Sequence, residues 1–227
     1  MLSMTSLPDD DEKRLEFEKK LEGRRARICS GSFAPFLNSM EIPRRYHGKS
    51  LQTFDLYRCK ISLDDLKKSV VEGKSLFIGG CAGAGKTHLA VALMGHWFAE
   101  HYTGRKPWPR ALFLPVADLF WSLKRSFEDG AGSAADIIER YASVSLLVID
   151  DLGAGRITEW ARGDVLYPLI DRRYREMVPT IITSNLTVAD ISRLVDDRIA
   201  SRMVEMGIVI ELRGDDERIA RASSIQQ

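Results

Sequence analysis

A lysine and a hydroxyl set behind three glycines, and two adjacent carboxylates further along the chain, carry the chemistry of this sequence. Gly80, Gly85, Lys86 and Thr87 stand at the spacing G-x-x-x-x-G-K-[ST] within Gly80-Cys81-Ala82-Gly83-Ala84-Gly85-Lys86-Thr87-His88. Glycines at 80, 83 and 85 let the backbone turn tightly and bring its N–H groups close to phosphate oxygens. A helix starting near Gly85 adds the positive end of its dipole. Lys86 supplies a full charge to the outer phosphates, and Thr87 offers a hydroxyl to a magnesium ion.

Asp150 and Asp151 close the apolar run Leu146-Leu147-Val148-Ile149. Such a run is what a strand buried on both faces of a parallel sheet shows. In open α/β sheets ligands sit at the carboxyl ends of strands, so the two acids are expected beside the phosphate loop. Asp150 would hold the magnesium ion, through water, and Asp151 would polarise the attacking water. Asn185 ends another apolar run and could orient water near the terminal phosphate. Its plainer role is to cap the next helix, for which Asp190 competes. Arg198 and Arg202 fall one turn apart on one helix face.

The elements that must position these groups follow from periodicity. Buried strands are expected at 76–78, 111–116, 145–149, 179–185 and 208–212. Helices are expected at 62–72, from Gly85 to about 101 with Leu89, Leu93 and Trp97 on one face, at 117–125, 134–141, 160–177 and 188–203. Leu119, Phe120 and Leu123 form the apolar face of the helix expected at 117–125, and core packing is the plainer role for Phe120 and Trp121. Strands alternating with helices predict a doubly wound parallel sheet with right-handed crossovers. Residues 31–48 read as loop, leading into an extended linker. Residues 11–27 read as a mixed-charge segment that could form a solvated helix, and serve either as a flexible charged arm or as a partner-binding segment that orders on contact. Residues 1–8 and the tail after Gly214 read as disordered.

Composition bounds the rest. With 227 residues, 44% hydrophobic, the chain can bury one sizeable α/β core. The net charge of +1 means that any nucleic-acid binding must come from a local patch. No run reaches the length of a membrane span, and the start is polar rather than a secretory signal. Cys29, Cys59 and Cys81 are scattered, so neither a zinc site nor a disulfide framework is indicated, and a reducing, cytoplasmic setting is expected.

Taken together, Gly80–Thr87-His88-Leu89-Ala90, Asp150-Asp151-Leu152-Gly153, Thr183-Ser184-Asn185-Leu186 and Arg198-Ile199-Ala200-Ser201-Arg202 resemble AAA+ ATPases. More narrowly they resemble the DnaC-type helicase loaders and the related IstB transposition ATPases. Ile42-Pro43-Arg44-Arg45-Tyr46 and Gly214-Asp215-Asp216-Glu217-Arg218 are similar to segments flanking that family's ATPase core. The resemblance spans roughly residues 42–218.

It implies a P-loop NTPase of AAA+ type: a five-stranded parallel sheet with helices on both faces, no C-terminal lid and no sensor-2 arginine. Residues 1–45 would be a partner-binding arm and 46–227 the ATPase domain. ATP or ADP with Mg²⁺ would be the cofactors, held by residues 80–88, with Thr87 and Asp150 on the metal. Asp151, Lys86 and Asn185 would serve catalysis. Arg202, or alternatively Arg198, would act as an arginine finger on a neighbouring subunit's ATP, which suits a group that stays charged and grips two oxygens. Lys124 and Arg125 fall where this clade grips single-stranded DNA. The implied function is an ATP-hydrolysing loader of a replicative hexameric helicase, self-assembling into a ring or spiral. The alternatives are an IstB-like regulator of a transposase on double-stranded DNA, and a nucleotide-switched adaptor with little turnover. The segment before Ile42 holds no zinc-ligand set, a departure from the family pattern that leaves the partner open.

Overall fold

A computed structural model of the chain describes residues 11–129, 133–154 and 157–214. The expectations for residues 1–8 and for Asp215-Asp216-Glu217-Arg218 lie outside the described residues.

Five strands form one parallel sheet: β1 (Ser75–Gly80), β2 (Ala111–Pro115), β3 (Leu146–Leu152), β4 (Thr180–Ser184) and β5 (Gly207–Leu212). Their spatial order is β2-β3-β4-β1-β5. Successive side chains alternate between two apolar layers. Leu76, Ile78, Phe113 and Val148 enter one, and Phe77, Leu114, Leu147 and Ile149 enter the other. Burial on both faces explains why the strands read as unbroken apolar runs.

The first layer is built around α4 (Lys86–His101), with α1 (Asp11–Cys29), α2 (Ala34–Ser39) and α3 (Leu63–Val71) outside it. The second holds α5 (Val116–Asp129), α6 (Ala134–Ala142), α7 (Tyr167–Arg175), α8 (Val188–Leu194) and α9 (Asp197–Met206). Among the described residues no helix is long and apolar enough to cross a membrane.

The structure departs from the sequence expectations in several places. Residues 31–48 are not a loop throughout: Pro35 opens α2, where a missing N–H costs nothing, and residues 44–46 make a 3-10 turn. Phe36, Leu37, Met40 and Ile42 are buried in the same layer as α4, so packing is continuous across the expected boundary at residue 45. For that reason α4 is buried nearly all round, not on one face; Ile28 and Phe36 close over Gly95. The mixed-charge segment is the helix α1. It lies on α4 and the turn beyond it through Leu21 and Ile28, and Arg25 donates to the Tyr102 carbonyl at 3.1 Å.

The expected helix over 160–177 begins with a π-helical stretch, Ala161–Leu166, before α7. Pro168 has no N–H for the usual i→i−4 bond, which favours the wider turn there. The expected helix over 188–203 is two helices. Thr187 caps α8 in a reciprocal box with Asp190, and Asp196 starts α9 by accepting from the Arg198 amide. The cap is therefore neither Asn185 nor Asp190 alone.

Candidate functional site

The ends of β1, β3 and β4 converge on a cavity of about 320 Å³. Ala82, Gly83, Gly85, Lys86, Thr87 and His88 line one side, with Asp150, Asp151 and Asn185 among the groups opposite. The loop after β1 has the backbone its glycines predict: φ is +142° at Gly80, +75° at Gly83 and +96° at Gly85. A side chain at Gly80 would also meet the Leu212 carbonyl at 2.8 Å. Gly85 begins α4 with no side-chain cap, which leaves first-turn amides for a ligand. Ala84 is fully buried, whereas Cys81 and Ala82 face outward; the Cys81 thiol donates to the Gly214 carbonyl at 2.8 Å.

Lys86 is 7% exposed and fully engaged. Its Nζ donates to the carbonyls of Gly80 at 2.8 Å and Cys81 at 2.6 Å, and to Oδ1 of Asn185 at 2.6 Å. Asn185 in turn donates from Nδ2 to Asp151 Oδ1 at 3.1 Å. One amide thus ties the lysine of the loop after β1 to the carboxylate at the end of β3. This is possible because β4 lies between β1 and β3.

The two acids have opposite environments. Asp150 is 5% exposed and accepts from the Thr183 hydroxyl at 2.7 Å. Burial pushes its carboxyl above the ordinary carboxylate value, while hydrogen bonds from Thr183 and Thr87 and the Lys86 charge pull it back. Asp151 is exposed, with φ +62°, at an irregularity in the β3–β4 register between Ile149 and Leu152. The bulge re-aims the second acid into the cavity while the first stays inside. The Asp151 amide donates to Thr183 Oγ1 at 2.9 Å. Thr183 therefore positions both acids, a role the sequence reading missed; its signal was a hydroxyl two residues before Asn185 at a strand end.

Thr87 and Asp150 both line the cavity, where they offer it a hydroxyl and a carboxylate. Hard oxygen donors of this kind fit Mg²⁺, which keeps several waters and takes few protein ligands.

The arginines are not equivalent. Arg202 is held within its own chain: it pairs with Asp171 at 2.5 Å, donates to the Tyr167 hydroxyl at 2.8 Å and lies over the rings of Tyr167 and Tyr174. Its side chain is 21% exposed, against 52% for Arg198. Arg198 pairs with Asp196 at 2.8 Å and lies 4.0 Å above the Tyr167 ring. Neither lines the cavity.

On α5, Leu119 and Leu123 are buried and Phe120 is half-buried, but Trp121 is 61% exposed, contrary to the core role expected for it. The buried stripe continues to Ser126, and Trp121 sits off that stripe. Arg125 lies 4.9 Å over the Trp121 ring, and Lys124 is exposed near Glu128. Three cavity residues were absent from the expected site: Arg45, Tyr46 and Lys49. The pattern Ile42-Pro43-Arg44-Arg45-Tyr46 marked the segment but not its destination.

Comparisons with known proteins agree with this geometry. The family model described as IstB-like ATP binding protein matches residues 61–224. The replicative helicase loader DnaC of Escherichia coli K12 is 26% identical over 129 residues, covering 57% of this chain and 49% of that protein. The replicative helicase loader DnaI of Bacillus subtilis is 25% identical over 116 residues, covering 51% and 34%. The chain therefore spans at most about half the length of these two relatives. A crystal structure of the DnaC helicase loader superposes with a TM-score of 0.63 at 27% identity, covering 75% of this chain and all of that one. AMPPCP-bound DnaA from Aquifex aeolicus gives 0.61 at 22% identity and shares the fold. The matched span takes in the glycine loop, both acids, Asn185 and the two arginines. The chain belongs to the IstB-like ATP binding protein family, with the α/β architecture of P-loop AAA+ domains.

Proposed function

We propose that this protein binds Mg²⁺-ATP and hydrolyses it as one subunit of an assembly that loads a replicative hexameric helicase and engages single-stranded DNA. The observation that carries the reading is the chain Lys86–Asn185–Asp151, which links the phosphate loop to the exposed acid through one amide. Lys86 and the amides around Gly83 and Gly85 would hold the phosphates. Asp151 would accept a proton from the attacking water, and Asn185 would orient that water. Thr87 and Asp150 would hold Mg²⁺, which when bound neutralises developing charge between the outer phosphates. The cavity receives no arginine from the expected pair in its own chain, so the finger would come from a neighbour. Arg198 suits that role better than Arg202, whose partners already hold it. Head-to-tail contacts of this kind make rings or helical assemblies.

The names of DnaC and DnaI support a helicase as the partner, with residues 1–45 and the exposed charged face of α1 as the docking segment. Trp121, Lys124 and Arg125 combine ring and cation in the way used on single strands. The family description favours a second reading, an IstB-like regulator of a transposase on double-stranded DNA. Electron microscopy with ATP and each form of DNA separates the two. Assemblies on single strands, together with capture of a hexameric helicase, support the loader. Filaments on duplex with stimulation of a transposase support the regulator. Loss of function in Asp151→Asn with ATP binding intact would exclude a third role, an adaptor that never turns over.

A further inference from the structure

The segment 42–50 is a strap, anchored at both ends. At one end the Phe113 amide of β2 donates to the Met40 carbonyl at 2.9 Å, Ile42 is 5% exposed, and the Tyr46 and Phe113 rings lie 5.7 Å apart. At the other end Ser50 is 2% exposed, and its carbonyl lies 2.9 Å from Nε2 of His88 in the first turn of α4. Between the anchors the chain turns on itself: the amides of Tyr46, His47 and Lys49 donate to the carbonyls of Pro43, Arg44 and Tyr46. The strap thus bridges the β2 edge of the sheet to the helix that follows the phosphate loop.

Arg45 and Lys49 project from this strap onto the cavity that also contains Lys86, Asp150 and Asp151. Among the described residues neither side chain has a hydrogen-bond or ion-pair partner, whereas Lys86 donates to the Gly80 and Cys81 carbonyls and to Asn185. Charge decides what they are for. Without them, Lys86 and the two carboxylates sum to one formal negative charge, so a polyphosphate would rely on the loop amides and on the cation it brings. Arg45 and Lys49 reverse that sign. Arg45 stands beside Tyr46, whose ring packs on Phe113 of β2, and β2 pairs with β3 as far as Pro115 opposite Asp150.

We propose that Arg45 and Lys49 are nucleotide-binding residues that hold the terminal phosphate from within the same chain. The inference rests on the ATP-binding reading above. Arg suits the role through its two-pronged contact with phosphate oxygens, and Lys as a point charge. Arg44 is the built-in control: it shares the turn, is exposed, and does not line the cavity.

The test compares the 227-residue wild type with Arg45→Gln, Lys49→Gln and Arg44→Gln. Dissociation constants are measured with Mg²⁺ for ADP and for a non-hydrolysable ATP analogue, and thermal unfolding of each variant is recorded alongside. A charge-assisted contact predicts that affinity for the analogue falls about tenfold in each of the first two variants. ADP affinity stays within about twofold, the Arg44→Gln variant matches wild type, and Arg45→Lys recovers part of the loss. Equal losses for ADP and the analogue would overturn the assignment to the terminal phosphate, as would no loss at all. A wild type that binds neither nucleotide would instead sink the ATP-binding reading itself, and this proposal with it.

Discussion

Lys86 donates to Oδ1 of Asn185 at 2.6 Å, although 99 residues separate them. The bond exists because β4 is inserted between β1 and β3, so that the residue after β4 faces the phosphate loop on one side and Asp151 on the other. A charge, an amide and an acid are lined up across three strand ends, and each can be removed separately.

Asp151→Asn keeps the hydrogen-bonding shape of the exposed acid and removes its basicity. Its left-handed backbone is one that Asn tolerates. ATP affinity should stay within about threefold, while turnover falls roughly a hundredfold or more. Steady-state phosphate release measured beside equilibrium binding checks this. Retained turnover would remove Asp151 from the chemistry.

Thr183→Val keeps the shape of a buried side chain and deletes the hydroxyl that serves both acids. Burial holds the Asp150 pKa up, so the native chain keeps this proton more firmly than the unfolded chain. The stabilisation by the neutral form is present at low pH and is lost as pH rises from the ordinary carboxylate value through the raised one. Magnesium needs the carboxylate, so Mg²⁺ affinity rises over the same window. Removing the Thr183 bond, which lowers the pKa, should shift the midpoint of Mg²⁺-dependent nucleotide binding to higher pH. An unchanged midpoint would show that Asp150 does not govern the metal.

The loop and its acids were legible in the sequence because their demands are local. Glycines at 80, 83 and 85 are needed by three positive φ values, and the apolar run before Asp150 is needed by a doubly covered strand. Strand order was not legible: the buried runs of β1, β3 and β4 resemble one another, and nothing in such a run names its neighbour. The contribution of residues 45 and 49 was hidden for the same reason, since it arises from an anchor on β2 and another on α4. Trp121 was misassigned because an apolar side chain was counted as core without its angle around α5, which the buried Leu119, Leu123 and Ser126 define.

Arg198 and Arg202 should separate stability from turnover. Arg202→Ala removes a partly buried ion pair, a bond to Tyr167 and two ring contacts, and should cost about 1–3 kcal/mol in urea unfolding. Arg198→Ala, more exposed, should change stability by about 0.5 kcal/mol or less and lower turnover of the assembled protein at least a hundredfold. Mixing Arg198→Ala with Asp151→Asn subunits should restore part of the activity, because each supplies what the other lacks. No recovery on mixing would argue against a finger donated between subunits.

Arg173 is fully buried, and among the described residues its guanidinium hydrogen-bonds to no carboxylate. Its guanidinium donates to the carbonyls of Tyr141, Ala142, Val144 and Pro179 and to the Thr180 hydroxyl, and burial brings its pKa down to about 10. It stitches the end of α6, the start of β3 and the start of β4 below the site. Arg173→Met should strand several buried carbonyls and destabilise the chain by roughly 2–4 kcal/mol in denaturant unfolding. A loss under about 1 kcal/mol would mean that water replaces the guanidinium.

The central claim is that the glycine loop grips a triphosphate by way of Lys86. Calorimetric titration of the purified chain with ATP and Mg²⁺ addresses it directly, run beside Lys86→Ala. One equivalent of nucleotide should bind to the wild type, with affinity reduced about a hundredfold or more in the variant while its unfolding transition remains cooperative. No binding by the wild type, or equal binding by both proteins, would contradict it.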